Sequence, residues 1–278
     1  MKKTLFILLA ALLLLSAVCV SAEPLSVTYY GLDKADAILI TLPQGQRVLI
    51  DAGTNKDGKR LAKQFAEEGI DSLDAMIITH YDKDHVGGAD QILKKLSVAR
   101  VIMPQYEKDG SQYEDFLAAL QKSAGTQVDL MPARQTLSLP FPGVTFTVSS
   151  AHQTYYGSDE ENDFSLAARL VYGDTRFLFP GDAEDARQQE LLAEGDVACD
   201  VLKLPHHGRL HSVTPAFVQA ASPAIAFVPE GKDEPASPVL LMMLDDLGVE
   251  IYSSLDGDLT VLSDAERVWI DDSSEKAK

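Results

Sequence analysis

Cysteine is scarce in this chain of 278 residues, which has only 2. Cys199 is the one that lies outside the apolar N-terminal run, so no internal disulfide can form once that run is removed. The apolar segment Val197 to Leu202 around Cys199 predicts the buried start of a strand. A catalytic thiol is the alternative, and the lack of a directly flanking basic residue argues against it.

Positive charge is also scarce. Lysine and arginine total 24 against 42 aspartate and glutamate residues, giving a formal net charge of −18. Proteins that bind extended duplex DNA usually present a basic face, because phosphate contacts supply much of their affinity. The composition therefore argues against general polyanion binding, although a local basic patch could still hold a small or single-stranded phosphodiester.

Long apolar runs are absent except for Leu5 to Val20, which follows two lysines and precedes a small-residue site ending at Ala22. This order is typical of a secretory signal, and we predict cleavage after Ala22 and secretion without a stable membrane anchor. A transmembrane anchor is the alternative, but the run is short for one. Lipoprotein anchoring at Cys19 is disfavoured because Val18 is bulky for that cleavage site.

No low-complexity linker or short repeat divides the rest of the chain, so residues 23–278 are predicted to form a single domain, with a frayed polar tail over residues 271–278. Two segments of short strands are each followed by alternating helices and strands, which predicts an α/β fold of two sheets packed face to face with helices outside. The pattern predicts a helix over Ala89 to Leu96 and one continuous strand over Phe164 to Tyr172.

The stretch from Asp74 to Gly88 places four metal-type side chains directly after a predicted strand, Ala75 to Ile78. Its candidate ligands are His80, Asp82, Asp84 and His85. In an extended segment, residues two apart point the same way, so His80 and Asp82 could chelate one ion. Asp84 and His85 would then turn toward a second ion. The stretch therefore predicts a two-metal site.

Further polar groups follow other predicted strands. Asp51 follows Arg47 to Ile50, where it either orients the loops of the site or serves as a turn or N-cap residue. Asp182 follows an apolar strand, and its alternative role is to cap the helix predicted from Glu184. Strand-end carboxylates of this kind are candidates for one shared site.

Histidine is concentrated in these loops. Five of the six histidines lie there, whereas scattered surface histidines would be spread along the chain; they are His80, His85, His206, His207 and His211. A metal site explains this distribution. His152 lies outside the loops and is interpreted as an ordinary surface or core residue.

The segment Thr79 to Gly88 resembles the T-H-x-D-x-D-H-x-G-G motif of metallo-β-lactamase-fold hydrolases, in the version carried by the hydrolase domain of ComEC-type competence proteins. Asp51-Ala-Gly53, Phe179-Pro-Gly-Asp182 and Pro205-His-His-Gly208 match later motifs of that family in order. The resemblance implies a four-layer αββα sandwich with two divalent metal ions, zinc or manganese. It also implies that Asp182 bridges the ions and that His206 or His207 ligates or lines the site.

Several positions depart from the family pattern. Gly31 to Ala37 keeps only Asp36 and Ala37 of a D-V-G-Q-G-D-A run. Arg209 replaces the serine of H-H-G-S, and Ser237 replaces the histidine of a late G-H-P. One ligand or acid is thus missing, and Asn162 or Asp163 is a candidate to complete the coordination.

These residues predict a metal-bound hydroxide as nucleophile, with Asp84 and Asp182 as catalytic residues. Lys203, Arg209 and His211 are candidates to steer or clamp phosphate. Their alternative is surface solvation, and for Lys203, inside a strand, snorkelling is favoured.

The expected function is a secreted metal-dependent phosphodiesterase or nuclease, acting on a small molecule, a nucleic acid or a wall phosphodiester that includes choline-phosphate. One alternative is a non-catalytic protein that binds metal or ligand on the same fold. Another is a hydrolase of a different ester, a thioester or a lactam; fold analogy alone gives lactam hydrolysis little support.

Overall fold

The computed structural model describes residues 23–157 and 161–271. The predicted signal segment and most of the predicted tail, residues 1–22 and 272–278, lie outside the described residues. Among the residues described, no helix has both the length and the apolar character that a bilayer span requires.

Seventeen strands and six helices follow one another in the described residues. The strands are β1 Leu25–Tyr29, β2 Ile38–Thr41, β3 Arg47–Ile50, β4 Ser72–Leu73, β5 Ala75–Ile77, β6 Ser97–Val98, β7 Arg100–Pro104, β8 Gln127–Met131, β9 Thr136–Leu139, β10 Thr145–Ser149, β11 Ala167–Tyr172, β12 Thr175–Phe179, β13 Val201–Lys203, β14 Ile225–Val228, β15 Glu250–Ser253, β16 Leu259–Ser263 and β17 Val268–Ile270. The helices are α1 Asn55–Glu67, α2 Ala89–Leu93, α3 Ser111–Lys122, α4 Asp185–Glu194, α5 Thr214–Ala221 and α6 Pro238–Asp246.

Two large sheets form the centre of the molecule. The first has the order β17-β16-β1-β2-β3-β5-β7-β8, and the second has the order β15-β14-β13-β12-β11-β10-β9. In each sheet an antiparallel half joins a parallel half, with β3, β5, β7 and β8 parallel in the first and β12 to β15 parallel in the second. Strands β16 and β17 return to the first sheet, so the end of the chain pairs with β1.

The core consists of three apolar layers. Tyr29 and Ile77 of the first sheet pack against Phe177 and Phe179 of the second, which joins the sheets face to face. A second layer lies between the first sheet and α1 to α3, and a third lies between the second sheet and α4 to α6. The predicted αββα sandwich is confirmed.

Three details differ from the sequence-based predictions. The strand predicted over Phe164 to Tyr172 begins only at Ala167, because residues Glu161–Phe164 form a 3-10 helix. Helix α2 ends at Leu93, three residues before the predicted end at Leu96. The chain then enters the small β4-β6 sheet, which the sequence pattern did not predict. Isolated two-residue strands carry almost no periodic signal, which explains that omission.

The parallel halves determine where the candidate site lies. Because parallel strands end at the same edge of a sheet, the residues after β3 and β5 come together, as do those after β12, β13 and β14.

Candidate metal centre

The loop after β5 is packed tightly against the start of α1. His80 and His85 are completely buried, with ring centroids 4.1 Å apart. A Cβ atom on Gly88 would lie 2.1 Å from the carbonyl oxygen of Ala52 and 2.7 Å from the Cα of Gly58. Only glycine permits so close an approach of two backbones, so the loop is held in one position.

Asp51 orients this loop. Its carboxylate accepts hydrogen bonds from the backbone N–H of Thr79 at 2.8 Å and from the Thr79 hydroxyl at 2.7 Å. It also lies 2.9 Å from Nδ1 of His85, so Nε2 is the nitrogen that faces the centre. The N-cap of α1 is Thr54, which removes the capping alternative for Asp51. Asp51 adopts a φ of 56°, a strained conformation of the kind found at functional sites.

Asp182 lies between imidazoles from both halves of the molecule. Its Oδ2 is 2.8 Å from Nε2 of His207 and 3.2 Å from Nε2 of His85. Asp182 does not cap α4: the backbone N–H groups of Glu184 and Arg187 donate instead to Oδ1 of Asp163, both at 2.9 Å. Asp163 therefore caps α4, and its part in a coordination shell stays a prediction.

The adjacent histidines His206 and His207 point into different surroundings. Both adopt left-handed backbone conformations, with φ of 45° and 55°, and Gly208 follows with φ of 73°. This turn directs Nδ1 of His207 to the carbonyl oxygen of Pro229 at 2.9 Å and its Nε2 to the centre, 3.5 Å from Asp84 Oδ2. His206 instead lies beside Glu184 and His211, outside the centre.

Lys203 is buried beneath the centre and is only 1% exposed. Its Nζ donates to the carbonyl oxygen of Gly181 at 2.9 Å and to Oδ1 of Asp182 at 3.0 Å, and it pairs with Asp36. Neither snorkelling nor a surface role describes this side chain. Because Lys203 holds Oδ1 of Asp182, the other carboxylate oxygen faces the histidines.

Two lysines at the mouth of the centre, and Asp36 inside it, are functional candidates that sequence reasoning missed. Lys108 pairs with Asp82, whose Oδ2 lies 3.9 Å from His80 Nε2. Lys34 lies 3.8 Å from Oδ2 of Asp84. Neither lysine belongs to a recognisable motif. Asp36 is one of the two residues kept from the family run Gly31 to Ala37, and that match was its only signal.

The remaining candidates lie away from the centre. Arg209 is exposed and pairs with Glu234 at 2.6 Å, and His211 contacts His206 at 2.9 Å. Asn162 donates to Glu184 at 2.9 Å, so it belongs with His206 and His211. Two other predictions are confirmed: Cys199 is buried with a raised thiol pKa caused mainly by burial, and His152 contacts Glu194 at 3.0 Å, outside the motif loops.

The electrostatics suit a cation site. Burial, and then the neighbouring His85, lower the pKa of His80 to about 4, so this imidazole is neutral and able to donate a lone pair. Burial acts in the same direction on His207, but Asp182 outweighs it and raises the pKa of His207 to about 9. Burial would raise the pKa of Asp182, whereas His207, His85 and Lys203 lower it well below its ordinary value. The centre therefore holds anionic oxygens that attract positive charge.

Unpaired buried nitrogens test whether divalent ions fit. The Nε2 atoms of His80 and His85 are buried and have no hydrogen-bond partner, although His85 Nε2 lies 3.2 Å from Asp182 Oδ2. Leaving such atoms unpaired costs about 1–3 kcal/mol each. The donors include two groups that share His85, namely His80-His85-Asp182 and Asp84-His85-His207, and within each group the ligand atoms lie within 4.8 Å of one another. Imidazole and carboxylate ligands of this kind fit divalent zinc or manganese.

Comparison with known proteins agrees with this arrangement. The Metallo-beta-lactamase superfamily profile matches residues 30–229, and the chain belongs to that superfamily. Family membership and the His and Asp groups together define a superfamily hydrolase with metal-binding residues.

Among curated relatives, the chain is 28% identical to ComE operon protein 3 of Bacillus subtilis over 77% of this chain and 29% of that protein. It is 26% identical to Recombination protein 2 of Haemophilus influenzae over 70% of this chain and 23% of that protein. The chain thus spans less than a third of the length of these relatives. The resemblance to ComEC-type competence proteins is confirmed.

Among solved structures, the metallo-β-lactamase fold protein YhfI from Bacillus subtilis matches with a TM-score of 0.58 at 15% identity. The match covers 89% of this chain and 100% of that one. At this identity the likeness shows the fold alone.

Proposed function

We propose that the chain is a metal-dependent phosphodiesterase. A cleft of about 530 Å³ opens beside Asp82 and Asp84, and its lining includes the carboxylates Asp109 and Glu234 and three lysines, Lys34, Lys83 and Lys108. This is the observation that carries the proposal, because cationic side chains around an anion-rich metal centre favour a substrate that carries its own negative charge.

The roles of the chain's own residues follow from their contacts. His80, Asp82, Asp84, His85, Asp182 and His207 are the residues proposed to hold two divalent ions. When bound, such ions lower the pKa of a water ligand and stabilise negative charge on phosphoryl oxygens. Asp84, 3.5 Å from His207 and at the rim of the cleft, is placed to orient that water. Lys34, Lys83 and Lys108 bind the phosphate, and Asp51 and Lys203 hold the ligands in position.

Charge limits the substrate. With a net charge of −18, the chain repels an extended duplex outside this cleft, so the proposed substrate is a small, single-stranded or wall-derived phosphodiester. We also propose export through the predicted signal ending at Ala22. Intact-mass measurement of the exported protein checks this: a chain starting at Glu23 supports it, and a lipid-modified chain starting at Cys19 contradicts it.

The activity is tested with the purified chain after chelation and after addition of zinc or manganese. We expect hydrolysis of bis(4-nitrophenyl) phosphate that depends on added metal, and slower hydrolysis of lactam and thioester substrates. Equal activity in chelator would contradict the proposal. Bound metal without turnover of any substrate class would favour the alternative of a non-catalytic binding protein, in which Ser237, here a helix N-cap, replaces a missing histidine.

A lysine variant tests whether the lysines of the cleft recognise an anionic substrate. Lys83→Gln should raise KM for the diester about twofold to fivefold with little change in kcat, because an exposed charge contributes at most about 1 kcal/mol. Lys95→Gln is the matched control, since Lys95 is an exposed lysine beyond the end of α2 and does not line the cleft. Equal KM values for the two variants would argue against anion recognition by the cleft.

A further inference from the structure

Beside the main centre, a second group of potential ligands converges on one point. Nδ1 of His206 lies 2.9 Å from Nε2 of His211 and 3.0 Å from Oε1 of Glu184. The rings of His206 and His211 are stacked with centroids 5.1 Å apart. His206 is nearly buried, and the other two side chains are partly exposed. These three side chains are called the outer cluster.

Hydrogen bonding alone does not account for the outer cluster. Nδ1 of His206 carries at most one proton, yet it is in close contact with two potential acceptors, a carboxylate oxygen and an imidazole nitrogen. If His211 instead donates to Nδ1 of His206, that nitrogen carries no proton. Its contact with the carboxylate of Glu184 is then not a hydrogen bond. Either arrangement leaves one short contact poorly satisfied.

A neighbouring amide strengthens the case. Asn162 donates from Nδ2 to Oε1 of Glu184 at 2.9 Å, while its own Oδ1 is buried without a hydrogen-bond partner. A buried oxygen of this kind is normally paired, and an unpaired one calls for an explanation such as an absent ion or water. Nδ2 of the same amide also lies 3.4 Å from Nε2 of His206, so Asn162 contacts two members of the outer cluster.

Hydrogen bonds between neighbouring residues help to hold the three ligands in place. Glu184 directly precedes α4, His206 lies in the turn after β13, and His211 lies in the loop before α5. The side chain of Asp185 accepts from the Ser212 hydroxyl at 2.7 Å and from the Val213 N–H at 2.8 Å, which fixes the loop to the start of α4. A preformed group of donors needs little reorganisation to accept an ion.

We propose that Glu184, His206 and His211 form a third metal site, separate from the two-ion centre. Two imidazole nitrogens and one carboxylate oxygen are a ligand set that suits zinc and leaves one position open for water. The oxygen-rich sets preferred by magnesium and calcium are different, so those ions should bind weakly here. An ion at this position ties the start of α4 to the turn after β13 and to the loop before α5.

The experiment counts metal equivalents. The chelated full-length chain is loaded with Zn²⁺, desalted, and analysed for bound zinc per chain. We expect three equivalents for the unmodified chain and two for His211→Ala. His152→Ala is the matched control, because His152 also contacts a glutamate, Glu194 at 3.0 Å, but has no second histidine in the contact; it should keep three.

Two results would overturn the proposal: two equivalents in the unmodified chain, or a third equivalent that His211→Ala retains. If His211→Ala does not fold, Glu184→Gln serves in its place, since the amide keeps the shape but is a poor ligand. Zinc anomalous maps of the unmodified protein give a direct readout. A peak between Glu184, His206 and His211 supports the site, and occupied main positions without that peak contradict it.

Discussion

The two sheets supply the main centre in different ways. The first sheet contributes His80, Asp82, Asp84 and His85 from one loop after β5. The second contributes Asp182, Lys203 and His207 from positions that meet only because β12, β13 and β14 run parallel. One half of the site is thus a local motif, whereas the other half is a product of topology, and the two halves meet at Asp182.

Replacing Asp182, where the two halves meet, should have the largest effect on metal binding and activity. Asp182→Asn keeps the shape of the side chain but removes the charge that faces both His85 and His207. We expect bound metal to fall below two equivalents at the main centre and diester hydrolysis to fall by more than the about 10- to 100-fold typical of a residue that only positions a ligand. Metal analysis and steady-state kinetics measure both quantities.

Asp174→Asn is the control for this variant, because Asp174 lies in the exposed hairpin between β11 and β12. It should retain the metal content and activity of the unmodified chain. An Asp182→Asn protein with full metal content would show that the two halves hold their ions independently.

The buried cation of the second half should matter more than the cation at the mouth. Lys203→Met leaves Asp36 and Asp182 buried without their counter-charge, and we expect the free energy of unfolding of the metal-free protein to fall by about 3–5 kcal/mol. Lys108→Met removes a partly exposed pair with Asp82, which should cost about 0–1 kcal/mol. Urea unfolding in chelator measures the two losses.

Added zinc should restore part of the stability of Lys203→Met, because bound cations compensate the charge on Asp182. Equal losses for Lys203→Met and Lys108→Met in chelator would contradict the view that the two lysines differ in burial and therefore in energetic role.

In the first half, replacing Asp51 should have a smaller effect, on metal affinity. Asp51→Ala frees Nδ1 of His85 and both donors of Thr79, and we expect metal affinity to fall about 10- to 100-fold. Asp51→Asn should recover part of the loss, since its amide oxygen still accepts a hydrogen bond. Competition with a chromogenic chelator measures the affinities, and unchanged affinity in Asp51→Ala would show that the packing of the loop alone orients His85.

The same contrast explains what could be read from the sequence. His80 to His85 lie within six residues after an apolar run, so both their strand-end position and their chemistry are visible in the chain. The strand pattern also predicted the two sheets and their outer helices. Asp36 and Lys203 carry no periodic or motif signal that reveals an ion pair, because they are brought together by the packing of one sheet on the other.

The separation of His206 from His207 could not be predicted either. In an extended segment two adjacent side chains point to opposite faces, but here both residues are left-handed, and the direction of each ring depends on that turn. The capping role of Asp163 was missed for a related reason. A carboxylate near a helix start can bind metal or cap the helix, and only the distances to Glu184 and Arg187 reveal the cap.

The buried position of Lys203 bears on whether the protein folds before it binds metal. Small zinc domains fold only when their metal arrives, because metal binding supplies the free energy of folding. Here the ammonium group of Lys203 already offsets the charges of Asp36 and Asp182. We therefore expect the main centre to fold without metal and to bind its ions afterwards. The folded protein would then take its ion from the metal supply around it, and not from the supply present while the chain folds.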